Sequence, residues 1–577
     1  MNVPTQLLHN ALAYAGISAR FLHKSQILSE LRPRAVATLL GQIARGLRGP
    51  MALLRLHALA IPERPALVVP DEGVRLSYRE LDARILRLAH SLRGLGIGPG
   101  DRFALLCENG HEFIELAAAL SYLSATAVQI GYRLKPPEIG YILSHSGARG
   151  LLFHSVYEDR VREALAGLQV PPPILVVSGA SSGALEGAKR AGCRDYEELA
   201  GTPGARGPAP DAPPYVRDGG YGSFMLYTSG TTGKSKGARR DLKATSFTNV
   251  LALLAELPLR HDDRHLVTCP LYHAAASAFS GFVAGVGGCL VVPRHVDAER
   301  IAALIASERI TSSVMVPTQL QRLCDVLESA PPGGAPVRRD LSSLRWIMSA
   351  AAPLPTALAA RIEARLGPIL FNLYGATETG LVTLARPGEH TARPGTIGRA
   401  LFGNHIRLLD ESGREVAVGQ VGELYVKNGT LVSGYHGDAA ATRSAQRDGY
   451  FTVGDLAYRD ADGYYYLADR KTDLVISGGV NIYPLEIEQR LHAHPQVEDC
   501  AVIGVPDPDW GESLCAFIVA KTPPPDAEAF AAELRGFVAE TLADFKRPRR
   551  VVFVEQIPRN PTGKIDKRAL RTRAASS

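Results

Sequence analysis

The segment with the clearest chemical potential is a loop rich in small and hydroxyl-bearing residues. It spans residues 227–237, with the sequence Tyr-Thr-Ser-Gly-Thr-Thr-Gly-Lys-Ser-Lys-Gly, and follows an apolar run at 224–226. Small residues let backbone N–H groups turn towards an anion, hydroxyls supply further donors, and Lys234 and Lys236 supply positive charge. The pattern therefore predicts a phosphate-binding loop directly after a strand, rather than a surface linker.

Two better-known motifs nearly match this loop, and both are rejected on spacing. A Walker A loop needs a glycine five residues before Gly233, but that position is Thr228. Residues 233–237 fit the G-x-S-x-G pattern of serine hydrolases. That nucleophile elbow requires a strand that runs directly into the first glycine, whereas the predicted strand ends about five residues earlier.

Further motifs follow in a fixed order along the chain, and they make the loop recognisable. These motifs are Pro270-Leu-Tyr-His273, Asn372-Leu-Tyr-Gly-Ala-Thr-Glu-Thr-Gly380, Gly422-Glu-Leu424, Tyr450-Phe-Thr-Val-Gly-Asp455, Asp469-Arg470, Ser477-Gly-Gly-Val-Asn-Ile-Tyr-Pro484 and Asn560-Pro-Thr-Gly-Lys564. Together with the loop they resemble the adenylate-forming, or AMP-binding, superfamily, which includes acyl-CoA synthetases, adenylation domains of peptide synthetases and beetle luciferases. The resemblance covers roughly residues 50 to 570.

This resemblance implies a reaction in two steps. A carboxylate attacks the α-phosphate of ATP, which gives an acyl-adenylate and pyrophosphate, and a thiol, usually that of CoA, then displaces AMP. The first step brings one anion to another, so it needs Mg²⁺ and cationic side chains to offset the developing charge. ATP, Mg²⁺, CoA and a small carboxylic acid are therefore the expected ligands.

The resemblance also assigns residues to the nucleotide. Those expected to bind ATP or AMP are Thr228, Ser229, Gly230, Thr231, Thr232, Gly233, Lys234, Lys236, Tyr374, Thr377, Asp455, Arg470 and Lys564. Glu378 and Thr228 are expected to hold Mg²⁺, because carboxylate and hydroxyl oxygens are ligands that this ion prefers. Lys564 is the expected catalytic lysine, since a long amine can lie between a carboxylate and the α-phosphate. His273 is expected to line the acyl-side entrance as a further catalytic residue.

A third group of residues is expected to contact CoA. Gly478 and Gly479 would leave a bare backbone slot for pantetheine. An aromatic plate with guanidinium groups suits adenine and phosphates, and the residues that match such positions are Trp510, Phe545, Arg547 and Arg549. The expected hinge between the steps is Thr472, where relatives usually carry Asp or Lys.

Two positions depart from the usual pattern on the acyl side. Ser277 stands where the long-chain branch often has a tryptophan gate. Residues 349–353, Ser-Ala-Ala-Ala-Pro, stand where many relatives carry adjacent glycines. The extra methyl groups would narrow the space beside the adenine or beside the acyl chain, and the sequence leaves both open.

Short apolar runs alternate with helical stretches before residue 395, which predicts parallel α/β layers. Ser77 and Glu80 form a capping box that opens an amphipathic helix to about Leu95. We expect a large N-terminal domain of two layered α/β subdomains plus a distorted β-barrel, and a small mobile α+β C-terminal domain. The predicted segments are a lead at 1–48, the AMP-binding domain at 49–468, a hinge at 469–473 and the C-terminal domain at 474–577.

Charge and composition exclude several classes of protein. Hydrophobic residues make up 46% and charged residues 21% of the 577 residues, which excludes a disordered or fibrous chain. The seven cysteines form no C-x-x-C pair, which argues against a zinc ribbon or a secreted disulfide scaffold. Residues 1–60 carry seven basic side chains and one acid, whereas the other 517 residues carry 57 of each sign. The balanced body therefore offers no basic field for nucleic acid.

The basic lead supports several readings. Val36, Leu39, Leu40, Ile43 and Leu47 recur at helical spacing, so the segment could lie on an anionic membrane, pack on the protein body or form a loose tail. A mitochondrial presequence stays open as well. We expect a cytoplasmic enzyme, with peripheral membrane contact through residues 1–60 as an open alternative.

The sequence thus predicts an AMP-forming carboxylic acid–CoA ligase of the acyl-CoA synthetase, or fatty-acid–CoA ligase, branch. A medium- or long-chain fatty acid is the expected substrate, because an apolar acid would reach the enzyme from a membrane surface. The alternatives are an adenylating enzyme that loads a carrier protein and an aromatic-acid CoA ligase.

Overall fold

The computed structural model describes most of the chain. The described residues are 3–44, 50–179, 192–203, 223–228, 236–241, 244–328, 339–478, 480–560 and 564–576. Their strands form three sheets, which are called here the long sheet, the second sheet and the small sheet.

The long sheet begins with a parallel α/β part and continues into antiparallel strands. In spatial order its strands are Val74–Ser77, Pro65–Val69, Cys289–Val291, Arg264–Val267, Ser312–Met315, Trp346–Ala350, Leu370–Ala376, Gly380–Ala385, Thr396–Ala400, Tyr465–Arg470, Tyr450–Arg459, Gly422–Lys427 and His405–Leu409, with Gln446–Arg447 paired to Tyr450–Arg459. The strands predicted as a barrel therefore form an antiparallel extension of this sheet. Thr396–Ala400 links the two parts, because it pairs with Gly380–Ala385 on one side and with Tyr465–Arg470 on the other.

The second and small sheets complete the layers. The second sheet contains, in spatial order, Arg194–Asp195, Ile174–Ser178, Gly150–His154, Arg102–Leu106, Thr126–Gln129, Ser223–Thr228, Lys236–Asp241 and Gly434–Tyr435. The small sheet contains Val480–Ile482, Val475–Ser477, Gly511–Ala520, Val497–Asp507 and Arg550–Phe553. All of its strands lie after residue 474, as predicted for a C-terminal α+β unit.

Helices cover the sheets. They are Val3–Ser25, Pro33–Ala44, Pro50–Ala60, Tyr78–Gly94, His111–Tyr122, Pro136–Ser146, Glu158–Ala166, Tyr196–Ala200, Ala244–Glu256, Ala274–Val286, Ala298–Ser307, Pro317–Glu328, Thr356–Leu366, Glu389–Ala392, Ala439–Ala445, Pro484–His492, Ala527–Ala539 and Lys567–Ser576. Short 3₁₀ turns are Ile27–Glu30, Pro70–Glu72, Ser155–Tyr157 and Asp544–Lys546. None of the described helices is long and apolar enough to span a membrane.

The predicted capping box is confirmed. Ser77 Oγ accepts the backbone N–H of Glu80 at 3.3 Å, and the Glu80 carboxylate accepts the N–H of Ser77 at 2.8 Å. The helix spans Tyr78–Gly94 and buries Leu81, Ile85 and Leu88 on one face. The local signal was sufficient here because both partners of the box lie within one turn.

A buried network of charged side chains lies where the long and second sheets meet. Glu112 accepts hydrogen bonds from Arg294 at 2.7 Å and Glu115 accepts them from Arg84 at 2.7 Å, while His111 lies between the two glutamates. Burial alone would lower the pKa of His111, but the two carboxylates raise it to about 9. The charges are therefore paired inside the protein, which is the condition for burying them.

The lead packs on the body. Ala35 and Leu39 belong to the main hydrophobic core, whereas Leu40 is 60% exposed. Lys24 Nζ donates to the carbonyl of Ala255 at 2.8 Å, and Glu30 pairs with Arg64 at 2.8 Å. Among the alternatives for this segment the structure therefore shows the packed one, and membrane contact stays a prediction.

This packing predicts unequal effects for two neighbouring leucines. Leu39→Ala should lower the free energy of unfolding by about 2–3 kcal/mol, because it leaves a cavity in the core. Leu40→Ala, one residue on, should change it by less than about 0.5 kcal/mol because that side chain is exposed. Thermal midpoints of both purified variants provide the measurement, and equal midpoints would show that the lead is not part of the core.

Candidate active site

Three of the predicted nucleotide residues form a preorganised cluster. Tyr374 Oη donates to Asp455 Oδ2 at 2.7 Å, and Arg470 Nε lies 3.2 Å from Asp455 Oδ1. Asp455 and Arg470 face each other on neighbouring antiparallel strands, so the sheet register fixes their contact. Burial and the adjacent carboxylate raise the pKa of Tyr374 well above its usual value, so the phenol stays protonated. Each carboxylate oxygen retains a second lone pair for ligand hydroxyls.

Lys564 comes to this cluster from the small domain. Its backbone N–H donates to Asn560 Oδ1 at 3.0 Å, and its carbonyl accepts the N–H of Asn560 at 2.8 Å. Burial and then the charge of Arg470 lower the pKa of Lys564, while Asp455 and Glu378 act in the opposite direction. The side chain keeps solvent access although protein closely surrounds it. The charge of this amine therefore interacts with those of Asp455 and Glu378.

His273 lies close enough to Lys564 to sense its charge. Burial first, and then Lys564 and Arg133, lower the pKa of His273 to about 4. The imidazole is therefore neutral near pH 7. It stands at the N-cap of helix Ala274–Val286, with its ring 4.3 Å from that of Tyr272.

Glu378 is buried beside the same cluster. Its side chain accepts a hydrogen bond from Tyr435 Oη at 3.3 Å, and its carbonyl accepts the N–H of Val432 at 2.9 Å. The described residues contain no group of three or more His, Cys, Asp or Glu side chains that could hold a metal by themselves. A single carboxylate fits Mg²⁺ nonetheless, since this ion is usually bound by one or two carboxylates together with substrate phosphates.

The phosphate loop connects two paired strands. Ser223–Thr228 runs antiparallel to Lys236–Asp241, and Thr228 pairs with Lys236, so the ends of the loop face each other. The predicted loop residues from Ser229 to Lys234 lie outside the described residues. Lys236 Nζ lies 4.9 Å from the centroid of the Tyr435 ring, whose hydroxyl contacts Glu378.

Arg240 and Tyr435 were not predicted as site residues. Arg240 donates to the carbonyl of Thr377, directly before Glu378, and its Nε is buried without a partner among the described residues. Burial lowers the pKa of Arg240 and the charge of Glu378 raises it. Burial is the larger effect, so the pKa falls to about 10. The sequence offered one signal for Arg240, since two adjacent arginines, Arg239 and Arg240, lie close to the phosphate loop. No pattern pointed to Tyr435, because its partner is 57 residues away.

Of the alanines at 350–352, Ala350 ends the strand Trp346–Ala350 and the other two follow it directly. Ala351 has φ +71°, in the left-handed region. That conformation costs a residue with a Cβ roughly 1–2 kcal/mol, and glycine avoids the penalty. The methyl groups that distinguish this segment therefore bring backbone strain next to the site.

This strain predicts opposite effects for two neighbouring substitutions. Ala351→Gly should raise the free energy of unfolding by about 0.5–1 kcal/mol, since the strain exceeds the extra entropy of an unfolded glycine. Ala352→Gly should lower it by a similar amount, because Ala352 does not have a positive φ. Denaturant midpoints of both variants and of the unaltered protein provide the measurement. A midpoint for Ala351→Gly below that of the unaltered protein would refute the backbone strain at Ala351.

The predicted CoA residues gather at one side of the small sheet. Gly478 has φ +56°, its N–H donates to the carbonyl of Trp510 at 2.8 Å, and a Cβ there would lie 2.6 Å from the indole. The Arg549 guanidinium lies 4.8 Å from the Trp510 ring centroid. Trp510 and Phe545 are 46% and 51% exposed, as a stacking surface requires. Arg547 follows the turn Asp544–Lys546, and Gly479 lies outside the described residues.

The segment around Thr472 lies between the strand Tyr465–Arg470 of the long sheet and the strand Val475–Ser477 of the small sheet. The N–H groups of Asp473 and Leu474 donate to the carbonyl of Arg470 at 2.9 and 3.1 Å. Arg571, on the last helix, donates to the Thr472 carbonyl at 3.4 Å and to Asp473 Oδ1 at 3.0 Å. The structure thus shows a tight turn tied to the small domain, and its role as a hinge stays a prediction.

Known proteins match this chain over nearly its whole length. A family model described as AMP-binding enzyme matches residues 54–436, and one described as AMP-binding enzyme C-terminal domain matches residues 486–564. A feruloyl-CoA synthase from Amycolatopsis sp. is 36% identical over 512 residues, which cover 88% of this chain and 96% of that protein. A long-chain-fatty-acid–CoA ligase of Mycobacterium tuberculosis is 34% identical, over 90% of this chain and 97% of that protein.

Solved structures show the same architecture. The crystal structure of an anthranilate CoA ligase in complex with anthranoyl-AMP superposes with a TM-score of 0.78 at 27% identity. The match covers 92% of this chain and 98% of that protein, so both domains are included.

Proposed function

Because the chain belongs to the AMP-binding enzyme family, we propose that it joins a medium- or long-chain fatty acid to CoA at the expense of ATP. Family membership confirms the resemblance predicted from the motifs, the mixed α/β fold with a smaller C-terminal domain, and the prediction of an acid–thiol ligase. The acid and the individual residue roles belong to the proposal. The observation that carries it is the cluster of Tyr374, Asp455 and Arg470, with Lys564 within electrostatic range of it.

The geometry supports adenylation in a definite way. Asp455 can accept the ribose hydroxyls on its free lone pairs, and Arg470 can donate to the same sugar. The ring of Tyr374 offers a face for adenine. In this proposal the Lys564 amine stands between the acid and the α-phosphate, and its positive charge lowers their mutual repulsion in the transition state.

The proposed metal site consists of Glu378 and Thr228, with Tyr435 and Arg240 holding the glutamate in place. When bound, Mg²⁺ supplies positive charge to the phosphate oxygens. Arg240 donates to the carbonyl of the peptide before Glu378, and Tyr435 Oη donates to one carboxylate oxygen, so both hold the glutamate in position. The residues therefore fit a magnesium–nucleotide complex.

The proposed acceptor is free CoA. Gly478 exposes bare backbone next to Trp510, and the indole and Arg549 form a stacked pair that suits an adenine carrying phosphates. A carrier protein remains the alternative acceptor. It would use the same backbone slot for pantetheine but would not need the exposed Trp510 ring.

An aromatic acid is a second candidate substrate, and two buried polar atoms favour it. Trp346 Nε1 and Ser280 Oγ are buried without a hydrogen-bond partner in the described part of the chain. Ser280 lies on helix Ala274–Val286, which follows His273. Trp346 lies on the strand Trp346–Ala350, which this helix covers. Buried polar atoms normally have a partner, and a phenolic substrate could supply one, as the feruloyl-CoA relative suggests.

A panel of acids tests the proposal. Acetate, decanoate, hexadecanoate, benzoate and 4-hydroxycinnamate are each supplied with ATP, Mg²⁺ and CoA, and AMP and acyl-CoA are measured. We expect kcat/KM for decanoate or hexadecanoate to exceed that for acetate and benzoate at least about tenfold, since each buried methylene adds binding energy. A preference for 4-hydroxycinnamate would replace the fatty acid with the aromatic candidate. If none of the acids in the panel gives AMP, both candidates are refuted.

A further inference from the structure

A pocket lies between the lead and the body, away from the residues of the active site. It has a volume of about 450 Å³ and is called here the lead pocket. Its lining residues are Ala13, Gly16, Ile17, Arg20, Ala252, Glu256, Arg386, Arg399, Ala400, Leu401 and Phe402. Helix Val3–Ser25, which forms one wall, precedes the residues matched by the family models, whereas the lining residues from Ala252 onward lie within them.

The helix spans the pocket as a bridge anchored on both sides. Tyr14 packs edge-on against Phe402 with ring centroids 5.1 Å apart, and Lys24 Nζ donates to the carbonyl of Ala255 at 2.8 Å. Ala13, Gly16, Ile17 and Arg20 recur at i, i+3, i+4 and i+7, so they form the helix face that looks into the pocket.

Gly16 keeps part of this space open. A Cβ at that position would meet no atom within 4 Å, so nothing in the packing demands a glycine. Glycine inside a helix costs roughly 1 kcal/mol relative to alanine. Gly16 itself is exposed and lines the pocket. The helix therefore carries a destabilising residue where a side chain would fill the pocket.

The charges around the pocket are not balanced. Arg386 pairs with Glu256 at 3.0 Å, and Arg399 lies 4.4 Å from the centroid of the Tyr464 ring without an acidic partner in the described residues. Arg20 likewise makes no ion pair with any described part of the chain. Arg386 also lies 3.6 Å from Glu389, so among the described residues the guanidinium groups of Arg20 and Arg399 are the ones left to attract an anion.

We propose that the lead pocket binds one single-chain anionic amphiphile, an alkyl carboxylate, at a site separate from the active site. The arginines receive the carboxylate, and Ile17, Leu401 and Phe402 provide an apolar wall for the alkyl chain. The volume lies within the range typical of small-molecule sites, which fits one chain rather than a bilayer surface. This binding does not depend on which acid the enzyme activates.

Photoaffinity labelling of the full-length protein tests the site. The probe is dodecanoate with a diazirine in its alkyl chain, used as a monomer, and labelled peptides are mapped by mass spectrometry. We expect label in peptides that contain residues 13–20 or 399–402, in addition to any label at the active site. Gly16→Leu should reduce the label at the lead pocket at least tenfold, because the new side chain occupies the space.

Two further sets of variants make the result specific. Gly536→Leu is the matched control, since Gly536 also lies in a helix where an added Cβ would meet nothing within 4 Å, but in the small domain. It should leave the label unchanged. Arg20→Ala and Arg399→Ala should each raise the probe concentration that half-saturates labelling, by up to about fivefold. This is the range expected for solvent-exposed ion pairs. AMP release from ATP and an acid should stay the same in all four variants, so failure of this site and failure of the proposed ligase activity are distinguishable.

Several outcomes would overturn the proposal. Label confined to the active-site segments, or label that persists in Gly16→Leu, would show that the pocket does not bind the probe. Equal labelling by a dodecyl-trimethylammonium analogue would show that the arginines do not select an anion. Label that appears only with phosphatidylglycerol vesicles would replace the monomeric carboxylate with a lipid headgroup. If Gly16→Leu unfolds, the two arginine variants decide, and unchanged half-saturation in both would refute the proposal.

Discussion

Lys564→Ala should reduce the rate of acyl-adenylate formation by about 10²–10³-fold, the usual cost of removing one preorganised electrostatic group. The amine lies within electrostatic range of Asp455, Arg470 and Glu378, the residues that surround the proposed nucleotide. Its charge is useful only while carboxylate and phosphate oxygens approach each other. Formation of the thioester from supplied acyl-adenylate should therefore be nearly unchanged.

The two half-reactions can be measured separately. Pyrophosphate release reports the first step, and acyl-CoA formed from synthetic acyl-adenylate reports the second. Lys521→Ala is a suitable control, because that lysine is exposed in the same domain and has no role in the site. A Lys564→Ala enzyme that releases pyrophosphate at the wild-type rate would show that the role assigned to this residue is wrong. Equal loss in both steps would point to a structural role instead.

Arg294→Met should lower the free energy of unfolding by about 3–5 kcal/mol, because it removes the arginine that pairs with the buried carboxylate of Glu112. Arg294 contacts Glu112 at 2.7 Å, the Asn109 carbonyl at 3.1 Å and His154 at 3.0 Å, and it also pairs with Glu72. The Glu112 side chain is only 1% exposed. Methionine matches the aliphatic stem of arginine but supplies neither charge nor donors.

An exposed ion pair provides the comparison. Arg162 pairs with Glu158 at 2.6 Å on the surface of a helix, and Arg162→Met should cost less than about 1 kcal/mol. Thermal and urea midpoints of the two variants give the difference. A loss below about 1 kcal/mol for Arg294→Met would mean that Glu112 is neutralised or hydrated in the folded protein, contrary to the network described above.

Local signals in the sequence predicted much of the fold. Two of the short apolar runs from which parallel α/β layers were predicted, at 150–154 and 173–178, form the strands Gly150–His154 and Ile174–Ser178. The strand Lys236–Asp241 was missed because four of its six residues are charged, which is unusual for a strand within a sheet. Its place next to Ser223–Thr228 depends on pairing across the loop, which residue types alone do not reveal.

The candidate site, like the fold, was predicted only in part. The motifs identified Tyr374, Asp455 and Arg470, but their contacts depend on sheet register between segments up to 81 residues apart. Arg240 was missed because nothing in the sequence shows that its side chain turns inward to the Thr377 carbonyl. For the lead, helical periodicity gave the correct helix but could not choose between a membrane and the protein core as its apolar partner.

The single crossing between the two domains has a consequence for how such enzymes diversify. The proposed acceptor residues Gly478, Trp510 and Arg549 all follow Thr472, whereas the acid and nucleotide residues other than Lys564 all precede it. Arg571 ties the turn to the small domain, so a genetic crossover near this point would exchange one physical unit as a whole. Lineages can therefore change the molecule that receives the acyl group and the acid that is activated as two independently inherited traits.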